Sequence, residues 1–417
     1  MTATSAPPSL TAADSPGPTP ALPQHGGAAM PGVPAALARL RAIEAEMSAL
    51  LLGRDDAVRA ALLAVLARQH LVLLGPPGTA KSLLIELLSA RIAASTGGGL
   101  RRFIWLMTKF TTMEELFGPV SVQGLKQDVY RRLTTNKLPE AELVFLDEVF
   151  KASSAILNAL LTVMNERAFD NGPARIPIPL IALVGASNEL PQGEDTAALW
   201  DRFLLRSTVD YVDDGDFGRL LRLAVARTAP TTLAATDLAA LQGAAATLPV
   251  PDAILDALLQ FRKGLAAKGI VPSDRRWRQC LDLLRAQALL EGRGVVDEDD
   301  LLVLKDALWQ TPEQRQDIAR LAARLANPLN ARAVELGDQA HGVHAAALEK
   351  QGDGGLDDEA KLGAAIEAVG KLKRIAGELK RHREQAGAQG RATGRVEREQ
   401  GRIAAMREGL AALVMEV

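Results

Sequence analysis

Cysteine is almost missing from this chain: Cys280 stands alone among 417 residues. A single thiol cannot close an internal disulfide, and no neighbour gives it metal-ligand spacing. We read it as a small buried side chain in the helical stretch RRWRQCLDLLRAQALL. Aromatic residues are scarce at 4%, while alanine and leucine supply the apolar content, so a helix-dominated protein is expected. A surplus of one charge is lacking too. The 48 Lys and Arg against 50 Asp and Glu leave a net charge of -2, which excludes a global pull toward DNA or an anionic membrane. No run of about 18 apolar residues occurs, so nothing is expected to span a membrane. The first residues lack the basic start and apolar segment of a secretory signal. A reducing, cytoplasmic compartment is the expectation.

What is present is apolar content of 48%, enough for a substantial core in two or three domains. Residues 1–33 are the exception, dense in Pro, Ala, Ser, Thr and Gly without periodicity, and are expected to form a disordered tail. From Pro34 the spacing turns helical, with Leu37, Leu40, Ile43 and Met47 on one face, and LLGRDDAVRAALLAVLARQ reads as a second helix. HLVLLG (70–75), RFIWLM (102–107), ELVFLD (142–147), PLIALVGAS (179–187) and FLLRSTVDY (203–211) read as strands, most of them separated by helical patterns such as SSAILNALLTVMNER. Strands alternating with helices predict a parallel sheet covered on both faces. The strand signal stops after Tyr211. The division expected is an α/β core over 34–215, a helical set over 216–310 and a helical C-terminal region over 311–417. In the last, Leu362, Ile366, Val369, Leu372, Ile375 and Leu379 form one stripe, which predicts a helical hairpin.

The octapeptide GPPGTAKS (75–82) resembles a phosphate loop with one position changed. Such a loop turns main-chain N–H groups around an anion, uses glycine where φ is positive, and supplies a lysine for phosphate charge and a hydroxyl for Mg2+. Gly75, Pro76, Pro77, Gly78, Thr79, Ala80, Lys81, Ser82 and Leu83 are the candidates, between a strand and a helix. Ala80 replaces the usual glycine and is expected to be tolerated through a negative φ. A nucleotide site also needs carboxylates at a neighbouring strand end. LVFLDE supplies Asp147 to hold the metal with Ser82, and Glu148 to polarise the attacking water, 66 residues after Lys81. Asn188 ends the next strand, where its amide would orient that water.

GPPGTAKS, VFLDEVFKA, LLTVMNER and GASNELP together resemble the MoxR-type AAA+ ATPases, most closely their RavA-like branch. Alanine ahead of the lysine is usual in that family. The resemblance spans about Leu37 to Trp309. It implies an α/β AAA+ P-loop core with a five-stranded parallel sheet of order 5-1-4-3-2, an all-α lid, and a hexameric ring hydrolysing ATP with Mg2+ between subunits. By that likeness Arg202 in LWDRF is the arginine finger, Arg275 in PSDRRW the lid's sensor arginine with Arg276 competing, and Arg54 in LLGRDD lies near the adenine. FTTMEELFGPVSVQGLKQDVYRRLTT and FDNGPARIPIP are candidates for pore-facing insertions. A partner with a von Willebrand factor A (vWA) domain is implied, in chaperone-like remodelling of a protein client. After about residue 330 the chain departs from the RavA-like pattern, a charged helical hairpin standing where a beta-containing insertion is expected. A nucleotide-gated scaffold with little hydrolysis and a DNA-directed motor are the alternatives, opposed by the acidic pair and the balanced charge respectively. Residues 361–417 carry 12 Lys or Arg against 7 Asp or Glu, but no aromatics interleave, so a solvated face is expected rather than a nucleic-acid site. His341 and His344 lack a further ligand cluster for a metal.

Overall fold

The computed structural model describes residues 32–93, 99–212, 214–222, 229–326, 328–352, 358–388 and 393–415. Apart from Gly32 and Val33, the expected disordered tail lies outside them. Two helices open the fold, α1 (Val33–Leu50) and α2 (Asp55–Leu66). Leu37, Leu40, Ile43 and Met47 are buried on α1, the face its spacing predicts. Nearly all of α2 is buried from Ala57 to Leu66, because it is wedged between the sheet and later helices.

The core alternates strand and helix: β1 (Leu71–Leu74), α3 (Lys81–Arg91), β2 (Arg102–Leu106), α4 (Met113–Phe117), α5 (Val122–Leu125), β3 (Leu143–Asp147), α6 (Ser154–Glu166), β4 (Ala168–Asn171), β5 (Ala174–Pro177), β6 (Ala182–Ser187), α7 (Glu194–Arg202) and β7 (Leu205–Thr208). Five of the strands form one parallel sheet in the order β2-β3-β6-β1-β7. Counted along that sheet this is 5-1-4-3-2, as expected. β1 lies between β6 and β7 and is wholly buried, its LVLL run packed on both faces. Gly185 on β6 keeps the sheet close to its cover, since a Cβ there would lie 2.7 Å from the Phe203 ring.

The segment FDNGPARIPIP, expected as a loop, folds instead as the antiparallel hairpin β4–β5. Its Asn171 accepts from Arg132 N–H at 2.6 Å and donates to Arg132 O at 3.2 Å, and Phe169 stacks on Phe117 with ring centroids 5.1 Å apart. Both expected insertions therefore form one ordered unit. Phe110, at its start, is 89% exposed.

Past α8 (Asp214–Leu221) come α9 (Ala235–Thr247), α10 (Asp252–Ala266) and α11 (Asp274–Leu290), a 3-10 stretch Glu298–Asp306, and α12 (Gln314–Leu325). α12 was expected with the C-terminal region. It packs instead on α10 and the 3-10 stretch, with Ile318 and Ala322 in the main core, so the lid extends past residue 310. The lid is pinned to the sheet by Arg206 of β7, whose guanidinium lies 4.2 Å from the Trp200 ring centre and 5.8 Å from that of Trp309. Gln310 Oε1 accepts from Trp200 Nε1 at 3.0 Å and from Arg206 Nη1 at 3.3 Å.

The expected hairpin is present as α14 (Asp358–Ala388) and α15 (Gly394–Met415), but α13 (Pro328–Gly352) completes a three-helix bundle with its own core. Leu336, Leu372, Leu379, Val396, Ile403 and Leu410 fill it, along with several alanines. Ile366, expected on the buried stripe, is 55% exposed. No single described helix is long and apolar enough to cross a membrane.

Candidate nucleotide site

The phosphate loop connects β1 to α3 at the carboxyl end of the sheet. Gly75 is held between the exits of β6 and β7: its N–H donates to Ser187 O at 3.0 Å, and a Cβ on it would sit 1.8 Å from Val209 O. Only glycine fits there. Gly78 takes φ 79° and Ala80 takes φ 66°, ψ 23°. The expectation of a negative φ at Ala80 is thus wrong. The last residue before α3 must turn left-handed to bring the following N–H groups inward, and its Cβ bears a strain of about 1–2 kcal/mol. The loop tolerates this strain and does not avoid it.

Lys81 is buried, and its Nζ donates to Gly75 O at 2.7 Å and Pro76 O at 2.8 Å, across the mouth of the loop. Burial lowers its pKa, and the charges of Asp147 and Glu148 act in the opposite direction. The sequence-distant acids are thus near enough for their charge to act on the lysine. Asp147 closes β3, and its Oδ1 accepts from Glu148 N–H at 3.0 Å. Glu148 is left-handed at φ 52°, ψ 42°; its Oε2 is buried without a hydrogen bond and pairs with Lys151 Nζ at 3.3 Å. Ser82 and Leu83 are exposed in the first turn of α3, leaving the Ser82 hydroxyl open. A free hydroxyl and a half-buried carboxylate are a hard-oxygen donor set that fits Mg2+.

Asn188 follows β6 directly and joins Gly75, Pro76, Thr208 and Asp210 around a cavity of about 220 Å³. Thr79 Oγ1 donates to Pro76 O at 2.9 Å, and Arg54 Nε donates to Thr79 O at 3.3 Å, so Arg54 braces the loop from the start of α2. Burial lowers the Arg54 pKa, against the opposing charge of Asp210. Tyr211 reaches the loop as well, its hydroxyl 3.4 Å from Pro77 O. The strand reading covered Tyr211 and Asp210 without pointing to their place beside the loop.

Arg202 and Arg275 lie elsewhere. They line a second cavity, of about 350 Å³, with Arg68, Arg167, Gln69, His70 and Gln279. His70 precedes β1 and Gly75 follows it, so the two cavities open at opposite ends of a strand about 13 Å long. Arg202 and Arg275 each stand 3.9 Å from Asp201 Oδ2. Asp201 itself accepts from Ser273 Oγ at 3.0 and 3.1 Å, which ties α7 to the cap of α11. Burial, then repulsion from Arg275, lowers the Arg202 pKa, and its Nε is buried without a hydrogen bond. Arg276 is fully buried and donates to the carbonyls of Asp201, Phe203, Leu204 and Ala307. Its guanidinium is closed off from the cavity that Arg275 lines. Cys280 is buried as expected, its thiol pKa pushed up to about 12 by that burial. Among the described residues no group of three metal-ligating side chains includes His341 or His344.

Residues 38–258 match the family model described as the MoxR domain in the MoxR-vWA-beta-propeller ternary systems, and residues 253–321 match the AAA lid domain. An uncharacterised protein of Methanocaldococcus jannaschii is 39% identical over 277 residues, covering 66% of this chain and 72% of that relative. Chaperone MoxR1 of Mycobacterium tuberculosis is 28% identical over 289 residues, 63% of this chain and 72% of its own length. A crystal structure of a candidate ATPase from Cytophaga hutchinsonii superposes with a TM-score of 0.57 at 17% identity, over 71% of this chain and 96% of that one. That last likeness speaks to the fold alone.

Proposed function

Since this chain belongs to the MoxR family of AAA+ ATPases, we propose that it hydrolyses ATP at the boundary between two copies of itself and uses the cycle to remodel a protein partner. One observation carries the reading. Lys81, Asp147, Glu148 and Asn188 gather at the carboxyl end of the sheet, while Arg202 and Arg275 open at its other end, a strand's length of about 13 Å away. A second copy would supply them, and closed repetition of that head-to-tail contact gives a ring, with a hexamer the expected size.

In this reading the inward N–H groups of the loop and Lys81 hold the phosphates, and Lys81 leaves its two carbonyl partners to do so. Ser82 and Asp147 would hold Mg2+, which when bound neutralises phosphate charge. Glu148 takes the proton of the attacking water once its carboxylate swings from Lys151. Asn188 orients that water. The α7–α11 contact through Asp201 and Ser273 moves the lid with the arginine face, so phosphate sensing and lid position are coupled.

The description of the matched family supports a partner with a vWA domain, in a ternary system with a beta-propeller protein. The RavA-like affinity read from the motifs is a narrower proposal that this description does not carry. Glu148→Gln tests the chemistry: the variant should bind ATP with wild-type affinity and release less than about 1% of the phosphate. Undiminished release would overturn the assignment.

A further inference from the structure

The cavity of Arg202 and Arg275 holds more positive charge than a finger and a sensor account for. Four guanidiniums surround it, Arg68 and Arg167 being the other two, and no carboxylate lines it among the described residues. Asp201, just outside, stands 3.9 Å from both Arg202 and Arg275, too far for a hydrogen bond. Like charges meet in pairs: Arg275 repels Arg202, and Arg68 repels Arg167. Such a cluster costs stability unless an anion enters it.

The two extra arginines are not equivalent. Arg167 donates Nε to Leu180 O at 3.0 Å and Nη2 to Arg68 O, so its guanidinium is committed to the main chain. Those bonds brace the Arg68 backbone in its left-handed turn at φ 52°. Arg68 itself is exposed, and its side chain makes a single long hydrogen bond, 3.5 Å to Leu180 O. Its remaining N–H donors are open to the cavity. Alongside it, Gln69 and Gln279 are linked by a 3.0 Å amide contact that joins the start of β1 to the lid helix α11.

We propose that Arg68 is a third phosphate-binding guanidinium, which contacts the terminal phosphate of the nucleotide held by a second copy of the chain, with Arg167 as its positioning residue. This rests on the shared-site reading given above. Its place between β1 and α2 makes the α2–β1 turn part of the subunit boundary.

The test is Arg68→Ala, with Arg68→Gln as a second variant, both checked for unchanged melting temperature. Each should bind a fluorescent ATP analogue with wild-type affinity, because its own phosphate loop is intact, and should lose about tenfold to hundredfold in turnover. Mixing Arg68→Ala with Glu148→Gln should restore activity, since the loop and acids of the first then meet the arginines of the second. Full turnover by both Arg68 variants would overturn the proposal. So would a loss that mixing does not repair while a mixture of Arg202→Ala and Glu148→Gln does recover. If neither mixture recovers, the shared site itself fails, and the role of Arg68 falls with it.

Discussion

Arg276 donates Nη1 to Phe203 O at 2.8 Å, inside the core, while its sequence neighbour Arg275 stays 45% exposed beside Asp201. One helical step separates an arginine committed to the core from one open to the cavity. Replacing Arg276 by Met leaves four carbonyls without their donor and should cost about 3–5 kcal/mol in a denaturant titration. Arg275→Ala should change stability by less than about 0.5 kcal/mol and lower ATP turnover. Equal losses of stability in the two variants would contradict the division of roles.

Ala80 at φ 66° carries strain that a glycine would not. Ala80→Gly should raise stability by about 0.5–1 kcal/mol, the relief of the left-handed Cβ less the added freedom of the unfolded chain. Gly75→Ala at the same loop should be destabilising, because its Cβ would lie 1.8 Å from Val209 O. Paired denaturation midpoints read both effects.

The loop and the strands were legible because their signals are local. HLVLLG is a continuous apolar run, and a strand buried on both faces permits little else. Two other features were hidden for physical reasons. The buried positions described on α13 are Ala333, Leu336, Ala340 and Ala347, three of them alanines, so the seven-residue spacing shows little hydrophobic contrast. The arginine cavity draws on positions 68, 167, 202 and 275, and only the fold brings them together. For the β4–β5 hairpin a signal was available: Asn171-Gly172 is a turn dipeptide, with Gly172 at φ 65°. The left-handed φ of Ala80 had a signal too, since the residue it replaces is usually the glycine that such a φ favours.

His70 gives a pH signature. It is buried at the start of β1, accepts from Leu183 N–H at Nδ1 (3.0 Å) and donates Nε2–H to Met164 O (3.1 Å), a pattern that fits the neutral ring. Burial pushes its pKa down to about 4 from 6.5. The unfolded chain therefore takes up a proton first as pH falls. Stability from this group is fully present above about pH 6.5 and is lost progressively down to about pH 4, a change of about 3 kcal/mol. His70→Gln should flatten the pH dependence of unfolding free energy across that window, and an unchanged slope would count against a neutral buried ring.

The central claim is a catalytic site divided between two copies of the chain. Arg202→Ala should bind ATP normally and turn it over at less than about 1% of the wild-type rate, as should Glu148→Gln. Phosphate release from an equimolar mixture of the two measures the claim most directly. Recovery to a substantial fraction of wild-type turnover is the predicted result; a mixture as inactive as its components would contradict it.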